Sequence, residues 1–391
     1  MPNDPSKICL KVNSDLNHRR INLEPYVFLG KGGYGSVFYS RSANVAVKTL
    51  ALSDAFRWEL AVSLIISSAA RRPELAAIAK HFLQVYAFST IERKIVMEYM
   101  RHDLRAYMAI HGRKSSPTTM AAFAREFRGL SKALAFFHVE CGLMHLDIKQ
   151  ENILVNCDPQ TGDPERLVLA DFSIVSINGN SFLNKCCMIC PNRVGLEGTR
   201  IINTDDAVNA IASEGILMYR VDKRPPEFLI DYCNGHRYCS GKVMDAMTSL
   251  ALDLFALGQV VQEIMLECLC HTKNFGIKQQ PELSSGSCAD NLTLLQILSY
   301  RIALTDTILH PWSDLGFIEH PAGTVTAVVS QLKEAHDREA FVDFLDLWRN
   351  SLRRRAENVI VPRSFRAIFN IGILLCHFDQ EIRRSVPFMS P

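Results

Sequence analysis

Acidic and amide side chains occur in two segments at a spacing that metal-dependent phosphoryl transfer would require. Asp147 and Asn152 share the segment HLDIKQEN, which begins at residue 145, and Asp171 ends the apolar run LVLAD. Asp147 could orient an attacking hydroxyl, whereas Asn152 and Asp171 carry the oxygen atoms that a Mg²⁺ ion prefers. We therefore predict that Asp147 is catalytic and that Asn152 and Asp171 bind the metal.

Two lysines could neutralise the charge of a bound triphosphate. Lys149 follows Asp147 and could stabilise the group in transfer, and Lys48 ends the strand-like run VAVK, where it could contact the phosphates. A buried lysine needs a carboxylate partner, and Glu59 and Glu74 are both candidates. Glu59 is favoured because it falls inside a predicted helix, whereas Glu74 follows a proline at a predicted helix start.

A glycine-rich segment precedes Lys48 and predicts a phosphate-binding turn. The run GKGGYGSV begins at residue 30, and its glycines would let the backbone approach phosphates without interference from a Cβ atom. A dinucleotide-binding fold would continue directly into a helix, but VFY after the glycines is typical of a strand. The predicted nucleotide contacts in this turn are Gly30, Gly32, Gly33, Gly35 and Val37.

The run IVMEYM, which begins at residue 95, predicts a strand that could recognise a nucleotide base. Its backbone groups at Glu98 and Met100 could bond an adenine edge, with Met97 against the base. An ordinary edge strand explains this segment equally well when it is taken alone. Glu98 and Met100 are predicted adenine contacts because of the motifs on either side.

The elements that must position these residues change in kind near residue 100. Residues 21–48 predict three strands separated by turns, 82–88 and 94–99 predict two more, and 56–70 predicts a helix. Beyond residue 100 the strongest pattern is the helical spacing of apolar residues over 120–141. The sequence thus predicts an α+β protein with a small β-rich part followed by a larger, mainly helical part.

Composition excludes several classes of function. The net charge of +2 gives no reason to expect nucleic acid as a partner. We expect an intracellular protein without membrane insertion, because the first 13 residues are polar and no run of about 18 apolar residues occurs. The 12 cysteines are then reduced thiols; a zinc site at Cys186, Cys187 and Cys190 is less favoured, since the spacing lacks a second cysteine pair.

Two later motifs follow in a fixed order, namely RPPE at 224–227 and DLFALG at 253–258, where Asp253 would begin a central helix and bond the backbone near Asp147. With the earlier motifs, this set resembles the eukaryotic-type protein kinase family over residues 22–385. The resemblance implies a bilobal protein-kinase fold, ATP and Mg²⁺ as cofactors, and protein substrates. It implies a short extension at 1–21, an N-lobe at 22–100 and a C-lobe at 101–391, and Lys149 resembles the serine/threonine class.

A narrower resemblance is to the conserved herpesvirus protein kinases, of the alphaherpesvirus kind. It rests on the short spacing from Lys48 to Glu59, the run CGLMHLDI from residue 141, and the long segment from Asp171 to Glu227. This resemblance implies a protein of the virion tegument and the host nucleus that phosphorylates viral and host proteins.

Two departures from the family pattern keep alternatives open. Ser173 stands where the family has the glycine of DFG, which leaves room for a pseudokinase that acts as a binding scaffold, and Leu146 replaces the arginine of HRD. A small-molecule kinase of the aminoglycoside-phosphotransferase kind shares part of the motif around Asp147 but lacks the full glycine pattern. The run of arginines at 353–355 could be a nuclear import patch, although a solvated helix face is favoured.

Overall fold

The computed structural model describes residues 26–69, 72–112, 116–181, 225, 244–271, 363–377 and 380–389. Its strands are β1 Tyr26–Lys31, β2 Gly35–Ser40, β3 Val45–Leu50, β4 Val85–Ser89, β5 Lys94–Glu98, β6 His102–Asp103, β7 Leu143–Met144, β8 Ile153–Cys157, β9 Pro164–Leu169 and β10 Ser176–Ile177. Its α-helices are α1 Ser53–Ala69, α2 Ala76–Ala79, α3 Leu104–His111, α4 Pro117–Val139, α5 Ala246–His271, α6 Arg363–Leu375 and α7 Gln380–Ser385. The three cysteines at 186–190, Glu227 and the arginines at 353–355 lie outside the described residues.

An antiparallel sheet in the order β1-β2-β3-β5-β4 forms the N-terminal part. Its β-branched and aromatic residues pack well on a pleated surface, and strand β3 is buried at nearly every position. Lys48 pairs with Val37 on one side and with Ile95 on the other. The register therefore places Lys48 in the middle of the sheet, beside the strand that follows the glycine turn.

Helix α1 has two buried faces that contact different parts of the molecule. Phe56 and Leu60 pack with residues of the N-terminal sheet, whereas Trp58, Val62 and Ile66 belong to the core cluster of the C-terminal part. The spacing of each set follows the helical repeat. Helix α1 is therefore held between the two parts of the chain.

Helices α4 and α5 build the core of the C-terminal part. A capping box begins α4, because Thr119 donates its amide to the Ser116 hydroxyl while the amide of Ser116 donates to the Thr119 hydroxyl. Helix α5 approaches α6 closely at Gly258, where a Cβ would lie 2.6 Å from Sγ of Cys376. Asp253 was predicted to begin this helix, but the helix begins at Ala246; Asp245 caps it by accepting the amides of Met247 and Thr248.

Two small sheets frame the segment that contains Asp147. Strand β7 pairs with β10, and β8 lies between β6 and β9. Residues 145–152 connect β7 to β8, and Asp171 follows β9 closely in the chain. Since β8 and β9 pair in register from Ile153 with Leu169, the ends of the two segments that carry Asn152 and Asp171 lie side by side.

The α+β fold class predicted from the sequence is confirmed, with a β-rich N-terminal part and helices in the C-terminal part. The strands and the helix expected before residue 100 are present, with ends shifted by a few residues. The domain boundaries at 21 and 100 stay predictions. Among the helices that the structure describes, none is both long and apolar enough to cross a bilayer.

Candidate active site

Lys48, Glu59 and Asp171 meet in one cluster between the sheet and the C-terminal part. The ammonium group of Lys48 lies 2.7 Å from Oε1 of Glu59 and 2.9 Å from Oδ1 of Asp171. Of the two candidate partners for Lys48, the structure brings Glu59 to it. Glu74 lies in a short 3₁₀ turn, is largely exposed and has Arg72 beside it. The partner of Lys48 is thus the glutamate inside the predicted helix, as the sequence favours.

The electrostatics of this cluster favour the charged forms of Lys48 and Asp171, whereas burial raises the pKa of Glu59 in spite of the Lys48 ammonium beside it. Burial works against the ammonium ion, but the carboxylates of Glu59 and Asp171 outweigh burial and raise the pKa of Lys48. Burial likewise opposes ionisation of Asp171, yet Lys48 and a hydrogen bond from Ser173 hold its pKa below the usual value. The Asp171 side chain is 38% exposed, so an ionised carboxylate remains accessible to a cation.

Asp147 lies at the centre of a second polar cluster. Lys149 donates its ammonium hydrogen to Oδ2 of Asp147 at 2.7 Å, and Nδ2 of Asn152 donates to the same oxygen at 2.7 Å. Asn152 Nδ2 also lies 2.8 Å from the Asp147 carbonyl. With the amide nitrogen used in this way, Oδ1 of Asn152 is the atom left to coordinate a metal.

The backbone beside Asp147 is held by Asp253, as the sequence predicts. Its carboxylate accepts the amides of His145 at 2.6 Å and Leu146 at 2.9 Å. Oδ2 also bonds the buried ring of His138 at 2.8 Å. Leu146 has a φ of 62°, in the left-handed region that a β-carbon disfavours. Asp253 therefore stabilises a strained turn that aims the next residue, Asp147.

Asp171 adopts a left-handed conformation, with a φ of 61°. The described non-glycine residues with positive φ are Asn44, Arg93, Leu146 and Asp171. Ser173 is outside this set and is buried, so the backbone at this position does not require the glycine that the family pattern has. The serine is compatible with the observed geometry.

The glycine turn leaves room next to its backbone. A Cβ at Gly30 or Gly33 would meet no atom within 4 Å, and the amide of Gly32 closes the turn on the Gly35 carbonyl at 2.8 Å. Gly35 has a different requirement, because a Cβ there would lie 2.3 Å from the carbonyl oxygen of Thr49. The open side of the turn fits phosphates, whereas Gly35 also permits the close approach of β2 to β3.

The predicted hinge connects the two parts through an ion pair. The amide of Glu98 donates to the Gln84 carbonyl at 2.9 Å, so only the carbonyl of Glu98 remains as an adenine contact. The Glu98 carboxylate bonds Arg166 of strand β9, whose Nη2 also lies 3.4 Å from Sδ of Met100. Met97, in strand β5, is buried in the cluster that the N-terminal sheet forms with Phe56 and Leu60 of helix α1.

Three residues support the site although the sequence motifs do not predict them. His138 joins α4 to Asp253, Arg166 contacts the hinge, and Trp58 donates its indole hydrogen to the Val175 carbonyl. Each contact joins positions far apart in the chain, so no local pattern predicts it. The only local indication of a role for Trp58 is its position directly before Glu59.

The donor set suits a nucleotide with a divalent cation. Asp171 offers a partly exposed carboxylate, Asn152 offers an amide oxygen, and Lys48 and Lys149 are cations on either side. Carboxylate and amide oxygens are the ligands of hard divalent cations. The residues present therefore fit ATP together with such a cation.

Comparison with known proteins identifies the family. The sequence pattern of the protein kinase domain matches residues 23–189. The chain is 56% identical over 387 residues to the serine/threonine-protein kinase UL13 of Psittacid herpesvirus 1, which covers 99% of this chain and 84% of the relative. It is 28% identical to the UL13 homolog of Equine herpesvirus 1, over 97% of this chain and 64% of that protein.

A more distant relative gives the same result. The chain is 26% identical to the serine/threonine-protein kinase UL13 of Human herpesvirus 1, over 92% of this chain and 70% of the relative. These matches extend well beyond the motifs around Lys48 and Asp147. The chain belongs to the herpesvirus UL13 family of serine/threonine protein kinases, which use ATP with a divalent metal ion.

Proposed function

We propose that the enzyme transfers the γ-phosphoryl group of ATP to serine and threonine hydroxyls with Mg²⁺ as its metal, and that Asp147, Lys149, Lys48, Asn152 and Asp171 carry the reaction. The observation that supports this most strongly is the position of Lys48 between Glu59 and Asp171. A cation fixed by two carboxylates is ready to bind phosphate oxygens without rearrangement, and catalysis of phosphoryl transfer is mainly such positioning.

Lys48 binds the α- and β-phosphates, and Glu59 keeps the ammonium group of Lys48 directed at them. Asn152 through Oδ1 and Asp171 through its carboxylate would hold the Mg²⁺ ion. When bound, this ion neutralises the charge that develops on the phosphates. The backbone of Gly30, Gly32 and Gly33 lies over the phosphates, with the Gly32 amide closing the turn on the Gly35 carbonyl. The Glu98 carbonyl and the backbone of Met100 bind the adenine.

Asp147 orients the acceptor. Its carboxylate accepts the hydrogen bond of the serine or threonine hydroxyl and so directs the oxygen for in-line attack. The same carboxylate oxygen accepts hydrogen bonds from Lys149 and Asn152 in the structure. Lys149 then donates its hydrogen bond to the phosphoryl group in transfer. Its positive charge offsets part of the negative charge on the three equatorial oxygens.

Thermal melting in the presence of nucleotide tests these roles independently of turnover. We expect ATP with Mg²⁺ to raise the melting temperature of the wild-type protein. The rise should shrink strongly in Asp171→Asn and in Lys48→Met, because each variant removes a ligand or a phosphate contact. Asp158→Asn is the matched control, since Asp158 lies in the turn between β8 and β9, where its side chain accepts the amides of Gln160 and Thr161, a role that the asparagine oxygen can keep. Equal shifts in all four proteins would contradict the assignment.

Substrates and location follow the family resemblance in this proposal. We propose viral and host proteins as substrates, and the host nucleus and the virion tegument as the places of action. Quantitative phosphoproteomics of infected cells, with a virus encoding Asp147→Asn as the comparison, tests this. Phosphosites that disappear in the variant from nuclear and virion fractions support the proposal, and identical phosphosites in both infections contradict it.

A further inference from the structure

One hydrogen bond joins helix α1 to the segment that follows Asp171. The indole nitrogen Nε1 of Trp58 donates to the carbonyl oxygen of Val175 at 2.8 Å, although 117 positions separate the two residues. Trp58 is 5% exposed and lies in the core cluster of the C-terminal part. The contact is thus a buried link between two elements that are distant in the chain.

The position of Trp58 in α1 couples this link to the active site. Trp58 precedes Glu59 directly, and Glu59 bonds Lys48 from the same turn of the helix. Adjacent helical residues point in directions about 100° apart, so Trp58 reaches the C-terminal part while Glu59 reaches the sheet. A rotation or outward shift of α1 would break both contacts together.

The other end of the link leads to the catalytic loop. Val175 lies between Phe172, whose carbonyl accepts the Val175 amide at 3.4 Å, and strand β10. Strand β10 pairs with β7, and the residues after β7 are His145, Leu146 and Asp147. The segment that Trp58 contacts therefore bears on the backbone that presents Asp147.

We propose that Trp58 is a positioning residue that latches helix α1 onto the segment 172–177 and so keeps Glu59 against Lys48. The inference rests on the proposed role of Lys48 and Glu59 in binding the phosphates. The side chain of Leu146 has no hydrogen-bond donor, so it cannot pair with a phosphate on this segment as an arginine at the same position could. The hydrogen bond from Trp58 orders the segment instead.

Trp58→Phe tests the latch, because the phenyl ring keeps much of the buried apolar contact but has no N–H group. Losing one neutral hydrogen bond should lower the equilibrium constant for the assembled state about threefold to tenfold. We expect kcat on a peptide to fall by up to about that factor, while KM for the peptide changes by less than about twofold. KM for the peptide stays nearly constant because the substitution changes the position of Glu59 and not the site that binds the peptide.

Val62→Ala is the matched control. Val62 lies one turn further along α1, on the same face and in the same core cluster, and its side chain has no hydrogen-bonding group. It should lower the melting temperature but leave kcat near the wild-type value when assayed well below melting. Hydrogen–deuterium exchange should increase in residues 53–69 and 172–177 together for Trp58→Phe, and not for Val62→Ala.

Folding of the variants does not limit the test. Replacement of Trp58 by 3-benzothienylalanine, which changes only the N–H group of the ring system to sulfur, preserves the shape and should give the same fall in kcat. Wild-type kcat and unchanged exchange in a folded Trp58 variant would overturn the latch. Inactivity of the wild-type protein, or full activity of Asp147→Asn, would instead contradict the proposed function, so the two failures are distinguishable.

Discussion

The ammonium nitrogen of Lys48 lies 2.9 Å from Oδ1 of Asp171, which joins positions 123 residues apart. The contact runs from strand β3 of the N-terminal sheet to the residue that follows β9. It brings the proposed phosphate-binding cation and the proposed metal-binding carboxylate to the same point. Both side chains therefore lie where the proposed triphosphate and metal would bind.

Lys48 should be required for activity and also for full stability. Lys48→Met removes the cation from Glu59, whose side chain is 5% exposed, and leaves a buried carboxylate without its partner. We expect activity to fall on the order of 10³-fold and the free energy of unfolding to fall by roughly 3 kcal/mol. Urea unfolding and peptide phosphorylation measure the two effects.

A double variant separates those two effects. Lys48→Met with Glu59→Gln removes the buried charge, so most of the lost stability should return while activity stays absent. Recovery of activity in the double variant would show that Lys48 does not act on phosphate. Glu74→Gln, at the exposed rival position, should change neither property.

Ser173 should not limit catalysis. Its φ is outside the positive region, and its hydroxyl favours the ionised form of Asp171. Ser173→Gly should therefore change kcat by less than about tenfold. Steady-state kinetics with a peptide measure this. A wild-type protein without activity, made active by Ser173→Gly, would support the pseudokinase alternative instead.

The enzyme should be active without phosphate on the segment after Asp171. Leu146 lacks the guanidinium that would pair with such a phosphate, and its backbone is fixed by Asp253. Protein coexpressed with a phosphatase should show a full initial rate, once mass spectrometry confirms that residues 173–223 are unmodified. A lag that preincubation with ATP removes, together with a new phosphosite there, would contradict this.

His81 should make stability sensitive to mild acid. Its Nδ1 lies 2.8 Å from the Leu167 carbonyl, and a Cβ at Gly129 would lie 2.0 Å from Nε2. Burial lowers the pKa of His81 from its ordinary value of 6.5, although the hydrogen bond to the Leu167 carbonyl and the charge of Glu126 favour the protonated ring. The unfolded chain therefore takes up a proton near pH 6.5 that the folded protein resists.

The sign of this effect is fixed by that difference in protonation. The stabilising contribution is complete above pH 6.5 and is lost as the pH falls below it, at up to about 1.4 kcal/mol per pH unit. Lys80 and Arg166 also oppose protonation. His81→Asn should flatten the dependence of the unfolding free energy on pH between 5 and 6.5, roughly. An unchanged slope in urea titrations would show that another group titrates.

Local patterns predicted much of the fold and of the site. The run VAVK and the segment HLDIKQEN place Lys48 and Asp147 because each motif lies within one turn or strand. The apolar run that begins after Asp253 predicts a helix start at Asp253, whereas the helix begins at Ala246 and its cap is Asp245. A short polar residue before the helix was the signal that could have given the correct start.

Long-range contacts could not be predicted in this way. The bond from Trp58 to Val175 and the ion pair of Arg166 with Glu98 join residues whose neighbours in sequence carry no information about each other. The register of β8 with β9 and the packing of α1 decide these contacts. Such pairings depend on the whole tertiary fold and not on local propensity.

Transfer of radiolabelled phosphate from ATP tests the central account most directly. Wild-type protein with Mg²⁺ should label a serine- or threonine-containing peptide, and Asp147→Asn should reduce the rate on the order of 10³-fold or more. The variant should still melt with wild-type cooperativity and bind ATP with Mg²⁺, because the proposed role of Asp147 is to orient the acceptor and not the nucleotide. Asp147→Asn with near wild-type turnover would contradict the assignment of this site.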